Sequence, residues 1–193
     1  MYRLSLVVTL LLSGVLAGAE THKFKPEVGY QTYKVREPVL RIAPGDIVET
    51  NSLYSTIYIQ KEGAWPGEVG PFYIEGVTPE DTLVVKILSL RPNLDKGRSG
   101  TSPGFAGLTQ TKNTPMLHEP VPDHTYIWNI DREKMTASLD LPRSRMKRVE
   151  VDLVPMLGRL ATAPSGEQAI SGGVPYDFGG NMDSSLAREG ATV

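Results

Sequence analysis

The run with the most chemical capacity is Phe178-Gly179-Gly180-Asn181-Met182-Asp183. Two glycines allow positive φ and leave room for a ligand to approach the backbone. Asn181 brings an amide donor and acceptor, and Asp183 a carboxylate two positions on. In an extended chain that spacing sets both side chains on one face, where they could position a water, an oxygen-seeking metal or an amide. The same residues also suit an Asx-turn, in which Asn and Asp bond their own backbone. The histidines are His22, His118 and His124. No pair of them has a metal-binding helical spacing. His118 and His124 flank Pro120 and Pro122 and read either as surface loop residues or as a site with one proton-shuttling imidazole. His22 lies near the chain start and is expected to be mobile.

Other chemistries are excluded by composition. The chain has no Cys, so disulfides, thiolate nucleophiles and thiolate metal sites are absent. It has no G-x-S-x-G, P-loop or G-x-G-x-x-G motif, and Ser184-Ser185 lacks the glycine framing of a strained nucleophile. The net charge of −2 and pI near 5.9 give no electrostatic argument for nucleic acid or an anionic membrane surface.

The elements that must position these residues read as strands. Gly (19) and Pro (15) are plentiful without a period, while apolar residues still make up 40%; this indicates many turns and short strands rather than disorder. Strands are expected at residues 38–42, 47–50, 53–60, 71–75, 126–130, 135–139, 148–153 and 157–162, with a long central strand at 82–90. Pro44-Gly45-Asp46 and Thr78-Pro79-Glu80-Asp81 form turns between strands, with Asp46 and Asp81 as turn formers. Residues 91–122 are expected to be an irregular connection, and 133–137 could make one helical turn. The fold class is mainly β, sandwich- or barrel-like, with little helix.

Residues 1–19 stand apart. Arg3 precedes an uncharged apolar run from Leu4 to Leu16, and Ala17-Gly18-Ala19 has the small-x-small cleavage pattern. The segment reads as a signal peptide, with the mature chain starting near Glu20, no membrane anchor after cleavage, and a periplasmic or secreted location. Without disulfides, such a protein relies on packing alone.

Several blocks together carry a resemblance. Pro38-Val39-Leu40-Arg41-Ile42-Ala43-Pro44-Gly45-Asp46 resembles the P-V-L-R-V-x-P-G-D block of the acetamidase/formamidase family. Residues 70–81, Gly-Pro-Phe-Tyr-Ile-Glu-Gly-Val-Thr-Pro-Glu-Asp, resemble its G-P-x-Y-V-E-G-A-x-P-G-D block. Pro103-Gly104-Phe105 is similar to its P-G-F element, and residues 155–164 to its P-x-L-G-x-x-x-x-A-P block. Residues 179–183 match its G-G-N-M-D signature. The blocks stand in family order across the mature chain. Glu80 departs from the pattern, standing where Gly is usual, so its turn must accept a side chain. The family also continues past the position of Val193 into a Gly-, His-, Asp- and Glu-rich region. The resemblance therefore implies that residues 20–193 are the N-terminal portion of such a domain. Val193 then falls in mid-strand, where a cut leaves an unpaired edge.

The resemblance implies hydrolysis of formamide, acetamide or a related small linear amide to acid and ammonia, by metal-assisted attack of water. It implies a divalent cation (Zn²⁺ first, with Mn²⁺, Mg²⁺ and Ca²⁺ open) and a homo-oligomer. On this reading Asp183 binds the metal or water and Asn181 holds the amide or its developing oxyanion. Glu75 is a further acid/base candidate, or simply a solvated strand-end carboxylate. Gly179, Gly180 and His118 contact substrate. The alternative is a catalytically inactive, truncated β-domain that binds a small ligand or a partner.

Overall fold

A computed structural model describes residues 18–53, 65–101 and 124–193. The expected strand at 53–60 lies almost wholly outside these residues, as do the apolar run of the expected leader, Pro103-Gly104-Phe105 and His118. The described residues contain strands, bridges and turns, and no helix. The fold is mainly β, as expected.

Among the described residues, thirteen short strands form five small sheets. β1 (Thr21–Phe24) pairs in parallel with β4 (Ile47–Thr50), and β3 (Leu40–Ile42) in parallel with β5 (Phe72–Ile74). β2 (Thr32–Tyr33) pairs antiparallel with β11 (Ile170–Ser171). A four-stranded antiparallel sheet runs in the order β6 (Lys96–Thr101), β7 (His124–Asp131), β8 (Thr136–Leu141), β9 (Lys147–Asp152). A three-stranded antiparallel sheet sets β13 (Gly179–Asn181) between β10 (Arg159–Ala161) and β12 (Pro175–Tyr176). Ile87, Ala137 and Ser138 are buried. Two of them sit on β8, which is paired along both edges, and the Arg148 guanidinium donates to Ser138 Oγ at 2.8 Å.

The two Pro-containing turns use one device. Asp46 Oδ2 accepts from the Ala43 N–H at 2.8 Å, and Asp81 Oδ2 from the Thr78 N–H at 2.8 Å. Each Asp N–H returns to the carbonyl three residues back, at 3.1 Å. They differ at the residue before Asp. Gly45 has φ +96°, whereas Glu80 keeps out of the positive-φ region. That is how the second turn accepts a side chain where Gly is usual.

Five expectations are corrected. Residues 82–90 are not a central strand: their pairing is an antiparallel bridge, Lys86 to Thr192, and Val84 and Leu88 are more than half exposed. The partner of this segment is the 190–193 run, and Val193 exchanges both backbone bonds with Val85, at 2.8 and 2.9 Å, so Val193 is paired. The connection expected from 91 contains β6, whose Lys-Gly-Arg-Ser-Gly-Thr sequence shows no apolar alternation and is held by its pairing with β7. Residues 132–135 make the β7–β8 hairpin turn instead of a helical one, with Asp131 Oδ1 accepting from the N–H groups of Glu133 and Lys134. His22 is not mobile: it lies on β1, and its Nε2 is 2.9 Å from Asp46 Oδ2.

Candidate functional site

The Gly-Gly-Asn strand is the middle strand of its sheet. Arg159 stands opposite Asn181, Leu160 opposite Gly180, and Ala161 opposite Gly179. On the other edge Pro175 faces Gly180 and Tyr176 faces Gly179. Gly179 and Gly180 have φ of +96° and +102°. A Cβ on Gly179 would press into the Leu160 carbonyl oxygen, and one on Gly180 would lie 2.6 Å from that of Val174. The room expected here for a ligand is therefore filled by the protein's own neighbouring strands.

Asn181 ends the strand. Its Nδ2 donates to the Gly173 carbonyl at 3.0 Å, which fixes the amide's orientation. Its Oδ1 is buried without a hydrogen-bond partner among the described residues. Asn181 thus reaches across to another segment instead of closing an Asx-turn. Asp183 does not share its face in an extended chain: φ at Asp183 is +46°, its N–H donates to Gly158 O at 2.9 Å, and the residue is exposed. Its carboxylate lies over Gly158, where an added Cβ would stand 2.7 Å from Oδ1.

Glu75 belongs to a different sheet. It follows β5 and pairs with Arg41 at 3.1 Å, both side chains being more than half exposed. Arg41 in turn stacks on the Tyr73 ring. The structure thus brings together Gly179, Gly180 and Asn181, with Asp183 just beyond, and leaves Glu75 apart.

Beside Asn181 stands a network that sequence reading missed. Tyr33 Oη donates to Glu68 Oε1 at 3.0 Å, and Arg159 Nε lies 3.4 Å from the same oxygen. Glu68 is anchored by reciprocal backbone bonds with Tyr30 at 2.7 and 3.0 Å. The Arg159 guanidinium lies over the Trp65 ring, 4.1 Å from its centroid, and Gln31 Nε2 holds the Trp65 carbonyl at 2.7 Å. The Tyr33 ring packs against Phe178, which leads into the Gly-Gly pair. Glu68 and Arg159 side chains are 23% and 26% exposed, which lifts this pair out of the class of surface ion pairs.

Burial raises the Glu68 carboxyl above its ordinary range, against the opposing pull of the Tyr33 hydrogen bond and the Arg159 charge. Burial, and then the bond to Glu68, raises the Tyr33 phenol, which stays protonated as a donor. Arg159 Nε is close enough to Glu68 for charge attraction, yet it is buried without an aligned hydrogen bond. One buried donor and one buried acceptor, Arg159 Nε and Asn181 Oδ1, thus lack a hydrogen bond among the described residues and stand on residues directly opposite in register. Leaving such groups without a hydrogen bond costs about 1–3 kcal/mol each.

Two surface depressions lie elsewhere, one at Arg91, Pro92, Arg132 and Glu133, the other along β7–β9. Neither is lined by a residue of this network. Among the described residues no three His, Asp or Glu side chains stand together as a metal site, and Asp183, beside Gly158, would bring a single carboxylate to one.

This all-β arrangement is shared with amide-hydrolase structures. The acetamidase of Bacillus halodurans superposes with a TM-score of 0.64 at 23% identity, covering 89% of this chain and 56% of that one. A predicted acetamidase/formamidase of the thermophile Thermoanaerobacter tengcongensis superposes with a TM-score of 0.68 at 22% identity, covering 91% and 56%. The resemblance expected from the motif blocks therefore holds at the level of fold. The chain spans 56% of the length of each of these proteins. No family model and no curated protein matches the chain.

Proposed function

We propose that this chain serves the hydrolysis of small linear amides, of the formamide or acetamide class, to the acid and ammonia. The fold likeness and the ordered motif blocks support the reaction class. The observation that carries the reading is the orphaned pair at β10 and β13. Arg159 Nε–H and Asn181 Oδ1 are the complement, in sign, of a carboxamide's carbonyl oxygen and NH₂. In this reading Arg159 polarises the carbonyl and Asn181 holds the nitrogen. Glu68 takes a proton from the attacking water and passes it to the departing nitrogen, a task suited to a carboxyl of raised pKa. The Tyr33 hydrogen bond and the Trp65 face fix the geometry of Glu68 and Arg159.

The family resemblance adds a divalent cation, zinc first, with Asp183 as one ligand, and a homo-oligomer. It adds His118 as a substrate contact. The expected leader supports a periplasmic or secreted location for the mature protein. The test is ammonia release from formamide and acetamide by the whole exported gene product. Asn181→Ala and Glu68→Gln should each lower turnover by roughly 10²–10⁴-fold with the fold retained. Ammonia release unchanged in both variants would refute these roles. No release by the unmutated protein would favour a domain that only binds.

A further inference from the structure

The residue that follows the expected leader is held at its backbone nitrogen by a carboxylate. Glu20 N lies 2.9 Å from Asp46 Oδ1, and no other described group bonds that oxygen. Asp46 Oδ2 is engaged by the Ala43 N–H at 2.8 Å and by His22 Nε2 at 2.9 Å. The Asp46 side chain is only 9% exposed. The position of Glu20 is set independently of this contact. Its carbonyl accepts from the Ile47 N–H at 2.8 Å, and the β1–β4 register begins at the next residue, Thr21 opposite Ile47.

We propose that Asp46 is the receptor for the α-ammonium group created when the chain is cut between Ala19 and Glu20. Hydrolysis of that peptide bond adds one water. The carboxylate departs on Ala19, and the Glu20 nitrogen takes up protons to become an ammonium. A neutral amide donor 2.9 Å from a carboxylate thereby becomes a cation at the same place. A charge-assisted bond to a carboxylate is roughly twice as strong as a neutral one. Among the described residues, the other titratable and charged groups around it are the His22 imidazole on the opposite carboxylate oxygen, the Lys23–Glu49 pair at the neighbouring register position, and the carboxylate of Glu20 itself.

The consequence is a coupling of export to folding. Among the described residues β1 has one partner strand, β4, and its burial is slight, so its attachment depends on what holds its first residue. With the leader attached, that residue offers an amide. After cleavage it offers a charge, aimed at an oxygen with no other donor among the described residues. Asp46, which the turn chemistry alone would explain as a turn former, then has a second task.

The test uses the exported, processed protein. Mass spectrometry of its N-terminus should find Glu20 first. An amine-reactive reagent near neutral pH should label the Glu20 α-amine roughly tenfold more slowly than in Asp46→Asn, the effect of about one unit of raised ammonium pKa. A variant with Gly-Ser inserted between Ala19 and Glu20 should label at the rate of an unperturbed α-amine and melt at a lower temperature. That melting difference should vanish in the Asp46→Asn background. A different mature N-terminus would overturn the proposal, as would equal labelling in the unmutated and inserted proteins, a comparison that needs no substitution at Asp46.

Discussion

Replacing Gly180 by Ala separates two explanations of the Gly-Gly pair, with Gly45→Ala as its internal control. Gly45 has φ +96° and Gly180 φ +102°, so the backbone strain of adding a Cβ is nearly the same, about 1–2 kcal/mol. Their surroundings differ. A Cβ at position 45 meets nothing within 4 Å, whereas one at 180 lies 2.6 Å from the Val174 carbonyl oxygen. That oxygen must retreat, and with it go its bond from the Asn181 N–H and the adjoining β12–β13 pairing. At about 1 kcal/mol for each of roughly two weakened hydrogen bonds, Gly180→Ala should cost about 3–4 kcal/mol in all. Gly45→Ala should cost about 1–2 kcal/mol. Urea denaturation followed by circular dichroism reads the difference as a lower midpoint at unchanged slope. The reasoning fails if Gly180→Ala is no more destabilised than Gly45→Ala.

Further outcomes follow from the charged groups. Asp46 is held down to about 2, first by the Glu20 and Ala43 N–H groups, from an ordinary 3.8. Its contribution is fully present above the ordinary value and lost as pH falls through the depressed one. Acid unfolding should therefore steepen between about pH 4 and 2, and Asp46→Asn should remove that component. Glu68 has the opposite sign: its raised carboxyl favours folding below the ordinary value of 4.5, and that contribution is lost as pH rises through the folded value. Carboxyl titration by NMR should show Glu68 above its ordinary range, and Tyr33→Phe should move it; a Glu68 titrating normally would remove the basis for its proton role. Arg159→Met should destabilise by roughly 1–3 kcal/mol, less than a fully buried pair because a quarter of the side chain is exposed, and Glu68→Gln added to it should recover part of the loss. Simple additivity in a double-mutant cycle would show that the two do not interact.

Much of the framework was legible because its causes are local. The Asp46 and Asp81 turns could be read from Pro and Asp spacing, since each carboxylate bonds an N–H three residues away. The hairpin strands β7, β8 and β9 carry apolar and β-branched residues between turns, and β13 announced itself through its glycines. Where pairing alone decides, reading failed. Apolar content suggested a central strand at 82–90, but apolar content does not choose a neighbour, and among the described residues the backbone of that segment pairs with the 190–193 run. The polar β6 is a strand because β7 lies beside it. His22 is fixed because Asp46, 24 residues on, reaches it.

The site divides in the same way. The sequence by itself determined that Asn181 would follow two glycines and that no thiol or serine elbow would compete with it. Only the tertiary structure decided that the glycines' open side faces the protein's own carbonyls, and that Asp183 turns away at φ +46°. It also decided that Glu68 meets Tyr33, 35 residues away, and Arg159, a contact that no local spacing encodes. Side-chain type and short-range turns are properties of neighbouring residues, whereas burial, register and the pairing of distant charges arise only when strands far apart in the chain are laid side by side.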